Sequence, residues 1–472
     1  MKNVKTLTVL TIISIIALFS LGLQRGTEQK NPLKTDATPE ENYQTYCASC
    51  HGAKVNAFAD RKWKYGKTPE DLYKAIKIGY KDGGMPAFAE AFTDTEISDL
   101  ADYILKGIEN VDRYKFDDKP KSDVFDTEEG KIKLVNVFSE GKNPWGIAFL
   151  PNKKMLITDK SGKLYLATED GKSEEVAGVP EVRFAGQGGL MDVILHPDFA
   201  KNKIVYLSYS KPHPTNADLQ TTAILMANFD GKKLVNAKDI FVAKPYTKTR
   251  HHYGSRMVFG KDNLMYLSVG ERGNEKENPQ DINNGLGKIH RITADGSIPK
   301  DNPFFAQDAS DKTIYTYGNR NPQGIALNPF TGEIWQHEHG PRGGDEINIV
   351  QKGANYGWPI TSYGINYNGK SITPFTQKEG ITDPIHYWTP SIAPSGMAFV
   401  DGKIYPKWQG NLMVGSLRFK YLNRCVIKDG KVVKEELLFK NIGRMRDVRQ
   451  APDGYLYLAV EGEGVYKLLP QN

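Results

Sequence analysis

The sequence predicts a small all-α domain followed by an all-β six-bladed propeller, and three observations carry that prediction. Apolar residues recur at helical spacing up to about residue 112 and at period two from Lys131 onward. One strand–turn–strand unit recurs six times, opening at Trp145, Gly189, Gly254, Gln323, Ser395 and Arg446. The 472 residues exceed one ordinary domain, and the stretch 131–472 is long enough for six four-stranded blades.

Composition narrows the class. With 39% apolar and 25% charged residues, the chain is globular. Its formal charge of +6 is spread without basic runs, which argues against nucleic-acid binding and leaves solubility or docking of acidic partners. Its 45 glycines, 24 tyrosines and 20 phenylalanines suit short strands and tight turns. Three cysteines make no disulfide framework: Cys47 and Cys50 share one pentapeptide, and Cys425 sits alone in a strand-like run as a small buried hydrophobe.

At the N-terminus, Lys2 and Lys5 precede an apolar run from Leu7 to Leu23. Residues 1–23 therefore read as an export signal, either cleaved or retained as an anchor, and the remainder as periplasmic. A polar spacer, 24–39, leads into the first domain, 40–113. Three helix starts share one grammar, Thr38-Pro39-Glu40-Glu41, Thr68-Pro69-Glu70-Asp71 and Thr93-Asp94-Thr95-Glu96, each with Thr as N-cap. Leu72, Tyr73, Ala75, Ile76 and Ile78 make an amphipathic face that ends at Gly79, and Ile97, Leu100, Ala101, Ile104 and Leu105 make another.

Cys47-Ala48-Ser49-Cys50-His51 is the attachment pattern of a c-type haem. Two thiols add to the haem vinyl groups, and the adjacent imidazole lies beneath the iron. A zinc site would need further cysteine or histidine ligands nearby. Met85, in the Gly/Pro loop Gly83–Phe88, is the candidate sixth ligand, and His/Met ligation suits electron transfer. With its Met loop and closing helix, the domain resembles class I cytochrome c. The charged, proline-containing segment 114–130 reads as a linker.

In the propeller, 131–472, closure removes exposed sheet edges and turns one loop set from every blade toward a common mouth. Five motifs fall at equivalent places: Gly186-Gln187-Gly188-Gly189, His251-His252-Tyr253-Gly254-Ser255-Arg256, Gly318-Asn319-Arg320-Asn321-Pro322, His337-Glu338-His339-Gly340-Pro341 and Gly443-Arg444-Met445-Arg446. They gather an imidazole base, guanidinium groups that pair bidentately with carboxylates, and Gly-Pro carbonyls suited to calcium.

These motifs, over nearly all of Lys131–Asn472, resemble the aldose sugar dehydrogenase branch of the soluble quinoprotein glucose dehydrogenase family. The resemblance implies a pyrroloquinoline quinone (PQQ) cofactor bound with calcium at the mouth. It implies that His252 is the catalytic base and that Arg320 and Asn321 contact the quinone. Gln187, Arg418, Arg444 and Arg446 would complete the cofactor site, and the Gly340 and Pro341 carbonyls would hold its calcium. Glu346 and Tyr356 match part of a second, structural calcium site. His339 stands where glucose-type enzymes carry Gln, which points to broader aldose use. The implied activity is oxidation of aldoses at the anomeric carbon, with electrons passing to haem c and on to a periplasmic or membrane acceptor.

Rival readings are a calcium-dependent lactonase-type propeller, a non-catalytic carbohydrate-binding propeller tethered to a cytochrome, and a metal site built from His251, His252, His337 and His339. The repeat count disfavours the eight-bladed quinoprotein alcohol dehydrogenases.

Overall fold

The computed structural model describes residues 37–51, 55, 58, 63, 65–80, 85–109, 118–273, 275–367 and 370–471. The expected export signal, most of the spacer, Gly83, Gly84 and residues 114–117 lie outside them, as does the side chain of Cys50. Among the described residues, no helix is long and apolar enough to cross a membrane.

The helix starts form as their sequences dictate. Thr38 Oγ1 accepts from Glu41 N (3.3 Å) while Glu41 Oε2 accepts from Thr38 N (2.8 Å), opening the helix Pro39–Asn42. That helix continues through a π-helical turn, Tyr43–Cys47, into Ala48–His51. The same reciprocal cap opens Pro69–Ile78 through Thr68 and Asp71, and Asp94–Glu109 through Thr93 and Glu96. Gly79 ends the second helix with φ +66°, a conformation glycine adopts at no steric cost. Ile97, Leu100, Ala101 and Ile104 pack with Tyr43, Leu72, Ile76 and Phe92 into one core.

The second part is a six-bladed β-propeller. Blades 1 to 5 each take four consecutive antiparallel strands. Their innermost strands are Pro144–Phe149, Leu190–Leu195, Met257–Phe259, Pro322–Leu327 and Pro394–Phe399, and Arg444–Gln450 is the innermost strand of blade 6. Each touches the next around a closed ring. An apolar cluster fills every interface between successive blades, from Leu156 against Leu207 between blades 1 and 2 to Ile157 against Ala459 where blade 6 meets blade 1.

Blade 6 departs from the sequence reading. Its strands Arg444–Gln450, Leu456–Glu461 and Gly464–Gln471 are joined by Lys131–Phe138 from the domain's beginning, in register from Lys131↔Gln471 to Phe138↔Val465. Val124–Asp126 adds a fifth strand. The segment 114–130, expected as a linker, is therefore sheet over 124–126, because Phe125 finds an apolar partner in Phe439 (ring centroids 5.3 Å apart).

The propeller axis is held by charge. Arg256 lies 3.9 Å over the Trp145 ring and pairs with Asp192 (3.3 Å) and Asp447 (3.0 Å). Arg449 pairs with the same two carboxylates, at 2.6 and 3.0 Å. Two guanidiniums against two carboxylates neutralise a buried cluster that no single blade could satisfy.

Candidate active site

The mouth is where innermost strands begin and their neighbours end. His252 lies five residues before the innermost strand of blade 3 and is 8% exposed. Its backbone has φ +53°, rare for a side chain of this size. Three contacts hold it there. The His252 N–H donates to Gln187 Oε1 (2.8 Å), its carbonyl accepts from Arg272 Nη1 (2.6 Å), and its Nδ1 meets Glu271 Oε2 (2.7 Å). Arg272 is itself fully buried, bonds Gly270 O (3.1 Å) and Thr222 Oγ1 (2.9 Å), and lies over the Tyr253 ring.

Burial lowers the His252 pKa. The nearby Arg320 and His251 push the same way, against the opposing Glu271 charge. Burial raises Glu271, but His252 and Arg320 outweigh it and keep its carboxyl below the ordinary range. The result is a neutral imidazole beside an ionised carboxylate. That pairing fixes the proton on Nδ1 and leaves Nε2 as the basic nitrogen.

Arg320 and Asn321 come from the turn entering blade 4. Glu338, at the end of the neighbouring strand Ile334–Glu338, holds this turn by accepting from Arg320 N and from Asn319 Nδ2 (2.9 Å). Arg320 Nη1 donates to the carbonyls of His339 (2.8 Å) and Gly340 (3.0 Å). Its guanidinium lies 5.1 Å from the Trp358 ring centroid. Arg320 Nε, Asn321 Nδ2 and Trp358 Nε1 are buried donors without a hydrogen-bond partner among the described residues. Buried donors left open are what a polar ligand satisfies.

The Gly340–Pro341 turn is anchored by Asp345, whose carboxylate accepts from Gly340 N (2.8 Å) and Ala393 N (2.8 Å). The Gly340 carbonyl, already bonded to Arg320, keeps a second lone pair for a cation. Glu346 sits directly opposite Glu338 in the sheet. With Tyr356, both acids line a cleft of about 260 Å³ that also reaches Arg320, Gly340 and Trp358. Burial pushes Glu338 up to about 7, and burial together with Glu338 pushes Glu346 well above its usual range. Facing acids of this kind suit a cation. The Tyr356 hydroxyl donates to Ile349 O (2.5 Å) and accepts from Gln351 N (3.0 Å), which fixes the residue in the cleft wall.

Arg444 and Arg446 lie side by side on blade 6 and share Glu461, which closes on Arg444 Nε (2.7 Å) and Arg446 Nε (2.9 Å). Burial raises Glu461, but Arg446 and Arg444 outweigh it and bring it down to about 2. Both arginines thus have an internal counter-ion. Arg418, exposed, donates to Ser391 O (3.1 Å), and its neighbour Leu417 accepts from Arg444 Nη1 (3.1 Å).

The four-histidine metal reading does not hold. His337 and His339 turn Nε2 to the carbonyls of Ser395 and Pro394, and His252 is bound to Glu271. Among the described residues, no group of three or more His, Cys, Asp or Glu could hold a metal.

In the helical part, Cys47 and His51 are four residues apart on one helical run, and Met85 packs into the same apolar cluster as Cys47. Met85 is placed by a bridge to Tyr80. His51 stacks on Phe58 at 4.9 Å. A thiol, an imidazole and a thioether converging on one apolar cluster fit a covalently held haem.

Sequence reasoning missed Glu271, Arg272, Glu338 and Glu461. The repeat carried a usable signal: an acid stands at or just past the mouth end of the second strand in blades 1, 3, 4 and 6, as Asp159, Glu271, Glu338 and Glu461.

Fold and site together define a propeller with a buried, oriented imidazole beneath a cationic mouth, joined to a module with a haem-binding pattern. The chain belongs to the glucose/sorbosone dehydrogenase family, whose model matches residues 141–468, so it is an oxidoreductase. Residues 34–104 match the model of the cbb3-type cytochrome c oxidase subunit III. The aldose sugar dehydrogenase YliI of Escherichia coli (strain K12) is 41% identical over 338 residues, spanning 70% of this chain and 91% of that protein. A crystal structure of a glucose dehydrogenase superposes with a TM-score of 0.69 at 39% identity, covering 72% of this chain and all of the other. The PQQ-bound aldose sugar dehydrogenase of Streptomyces coelicolor gives a TM-score of 0.59 at 28% identity, covering 72% of this chain and 97% of its own.

Proposed function

We propose that this chain is an exported quinohaem aldose dehydrogenase that oxidises the anomeric carbon of aldoses to lactones and passes the electrons to its own haem c. The observation that carries the proposal is His252: a buried imidazole oriented by Glu271, beside the open donors of Arg320 and Asn321. Nε2 of His252 takes the proton of the anomeric hydroxyl, a transfer suited to a neutral imidazole and worth about 10²–10⁴-fold. Glu271 stabilises the imidazolium so formed. PQQ, when bound, supplies the hydride acceptor. Arg320, Asn321 and Gln187 would hold it, and Arg444, Arg446 and Arg418 would supply positive charge for its carboxylates.

The Gly340 and Pro341 carbonyls are the candidate ligands of the cofactor calcium, and Glu346 with Glu338 is the candidate second site. Exhaustive chelation should abolish productive PQQ binding, and calcium should restore it. Full activity after reconstitution without calcium would contradict this. Cys47, Cys50, His51 and Met85 hold the haem, and the 1–23 segment exports the chain.

The test is a spectrum of the purified haem protein. With PQQ, calcium and an aldose added, the reduced haem bands should appear, and His252→Ala should suppress them while PQQ still binds. No reduction across a panel of aldoses would favour the lactonase or binding-module reading.

A further inference from the structure

We propose that the sector of the mouth rim formed by blades 6, 1 and 2 is the docking surface for the chain's own haem-binding module, residues 37–109. The inference rests on the quinohaem reading above and adds where the two parts meet.

The tether points to this sector. The strand Val124–Asp126 runs antiparallel to Lys131–Phe138, so the chain before it rises toward the mouth end of blade 6. Lys119 pairs there with Glu463, in the turn just after Glu461, the residue that holds Arg444 and Arg446. The last described helix of the haem module ends at Glu109. Lys119 lies ten positions after Glu109, and a fully extended chain of ten steps spans at most about 36 Å. The module is therefore tethered from the mouth end of blade 6, with the mouth rim within its reach.

The surface has the chemistry to receive it. Phe184 is 54% exposed, three residues from Gln187, which bonds the His252 backbone. Lys160 Nζ lies 5.7 Å from the Phe184 ring centroid and donates to Gly186 O (3.2 Å). Gln187 N donates to Arg250 O (2.9 Å), and Gly462 N to Lys142 O (2.8 Å), so one rim joins Lys142, Lys160, Phe184 and Arg250. Arg444 lies beside it, and Glu461 and Glu463, the acids of this sector's blade 6 turn, are each taken up in ion pairs. Glu140 and Glu181, two and three residues from Lys142 and Phe184, are exposed as well, so the patch is an exposed aromatic with more cations than acids, the composition of a recognition patch.

The module is complementary. Residues 37–113 hold thirteen Asp and Glu against ten Lys and Arg, while the whole chain is +6. Opposite charge steers such an encounter and makes it salt-dependent. Oxidation of one sugar releases two electrons and two protons. Each docking moves one electron, taking the haem iron from ferric to ferrous. A one-electron acceptor outside the chain must reoxidise it before the second follows.

Two measurements test the surface. Zero-length carbodiimide cross-linking of haem-loaded, PQQ-free protein should join Lys142 or Lys160 to carboxylates within 37–113, and the links should fade at about 0.5 M salt, where charges are screened within a few ångströms. Links only to other faces, or none, would overturn the proposal. In single-turnover stopped flow on the loaded enzyme, Lys142→Glu/Arg250→Glu and, separately, Phe184→Ala should slow haem reduction roughly tenfold, with dye-coupled sugar oxidation unchanged. If these variants reduce haem at the wild-type rate while that rate stays independent of protein concentration, the relay stands and this surface is wrong. If the wild-type rate scales with protein concentration, the intramolecular relay itself is wrong.

Discussion

His252 is held at its N–H, its carbonyl and its ring by residues from two loops of different blades: Gln187 from one, Arg272 and Glu271 from the other. A left-handed histidine persists only when its surroundings over-determine it. Its pH behaviour follows from the same contacts. Burial lowers the His252 pKa and the Glu271 charge raises it, with burial winning. Glu271→Gln removes the raising charge, so the acid limb of kcat/KM should move to still lower pH while kcat falls; a limb that moves up would exclude Glu271 as the partner. Arg272→Lys should lower kcat with KM and PQQ affinity retained, since one ammonium cannot reproduce the guanidinium's bonds to His252 O, Gly270 O and Thr222. Equal loss of PQQ affinity, by equilibrium titration, would show that Arg272 merely supports the fold. That His252, Arg320 and Asn321 lie at the mouth was legible in the sequence, because they sit in short motifs at repeat boundaries. Arg272 was not, because its role depends on reaching Thr222 in the neighbouring blade.

At the level of elements, the capped helices and the six innermost strands were readable, since N-caps and period-two alternation are local signals. The closure was not. The strand Lys131–Phe138 looks like the start of a blade, yet it completes the last one, and the charged segment before it hides the strand Val124–Asp126. Such pairing depends on partners far along the chain, which no local pattern records. The closing strand should matter accordingly. Ile132 is fully buried against the Tyr405 and Trp408 cluster, so Ile132→Ala should cost about 2–5 kcal/mol in urea unfolding. Phe125→Ala, in the outermost strand and only partly buried, should cost less; the reverse order would mean that Val124–Asp126 makes the critical seal.

For the whole molecule, a cytochrome c module and a sugar dehydrogenase propeller share one chain, and each leaves its own sequence mark. The Cys-x-x-Cys-His pattern points to haem from one pentapeptide, whereas the proposed quinone site is assembled from five motifs on four blades. Replacing Met85 separates the two functions. Met85→Ala should lower the haem potential and slow haem reduction in stopped flow, while an artificial dye still withdraws electrons at the wild-type rate. A loss of dye-linked turnover would show that the helical module supports the propeller rather than serving it.

The closure of blade 6 also bears on how the protein comes into being. The strand Lys131–Phe138 is synthesised first in its domain and Gly464–Gln471 last, yet they lie side by side. No ring exists until the final strand arrives, and pairing so distant in sequence is slow to find. The helical module has no such wait: its core is complete within residues 43–104. A nascent chain therefore offers a folded haem-attachment site while the propeller is still open. Folding of the helical module and closure of the ring become separable events of maturation.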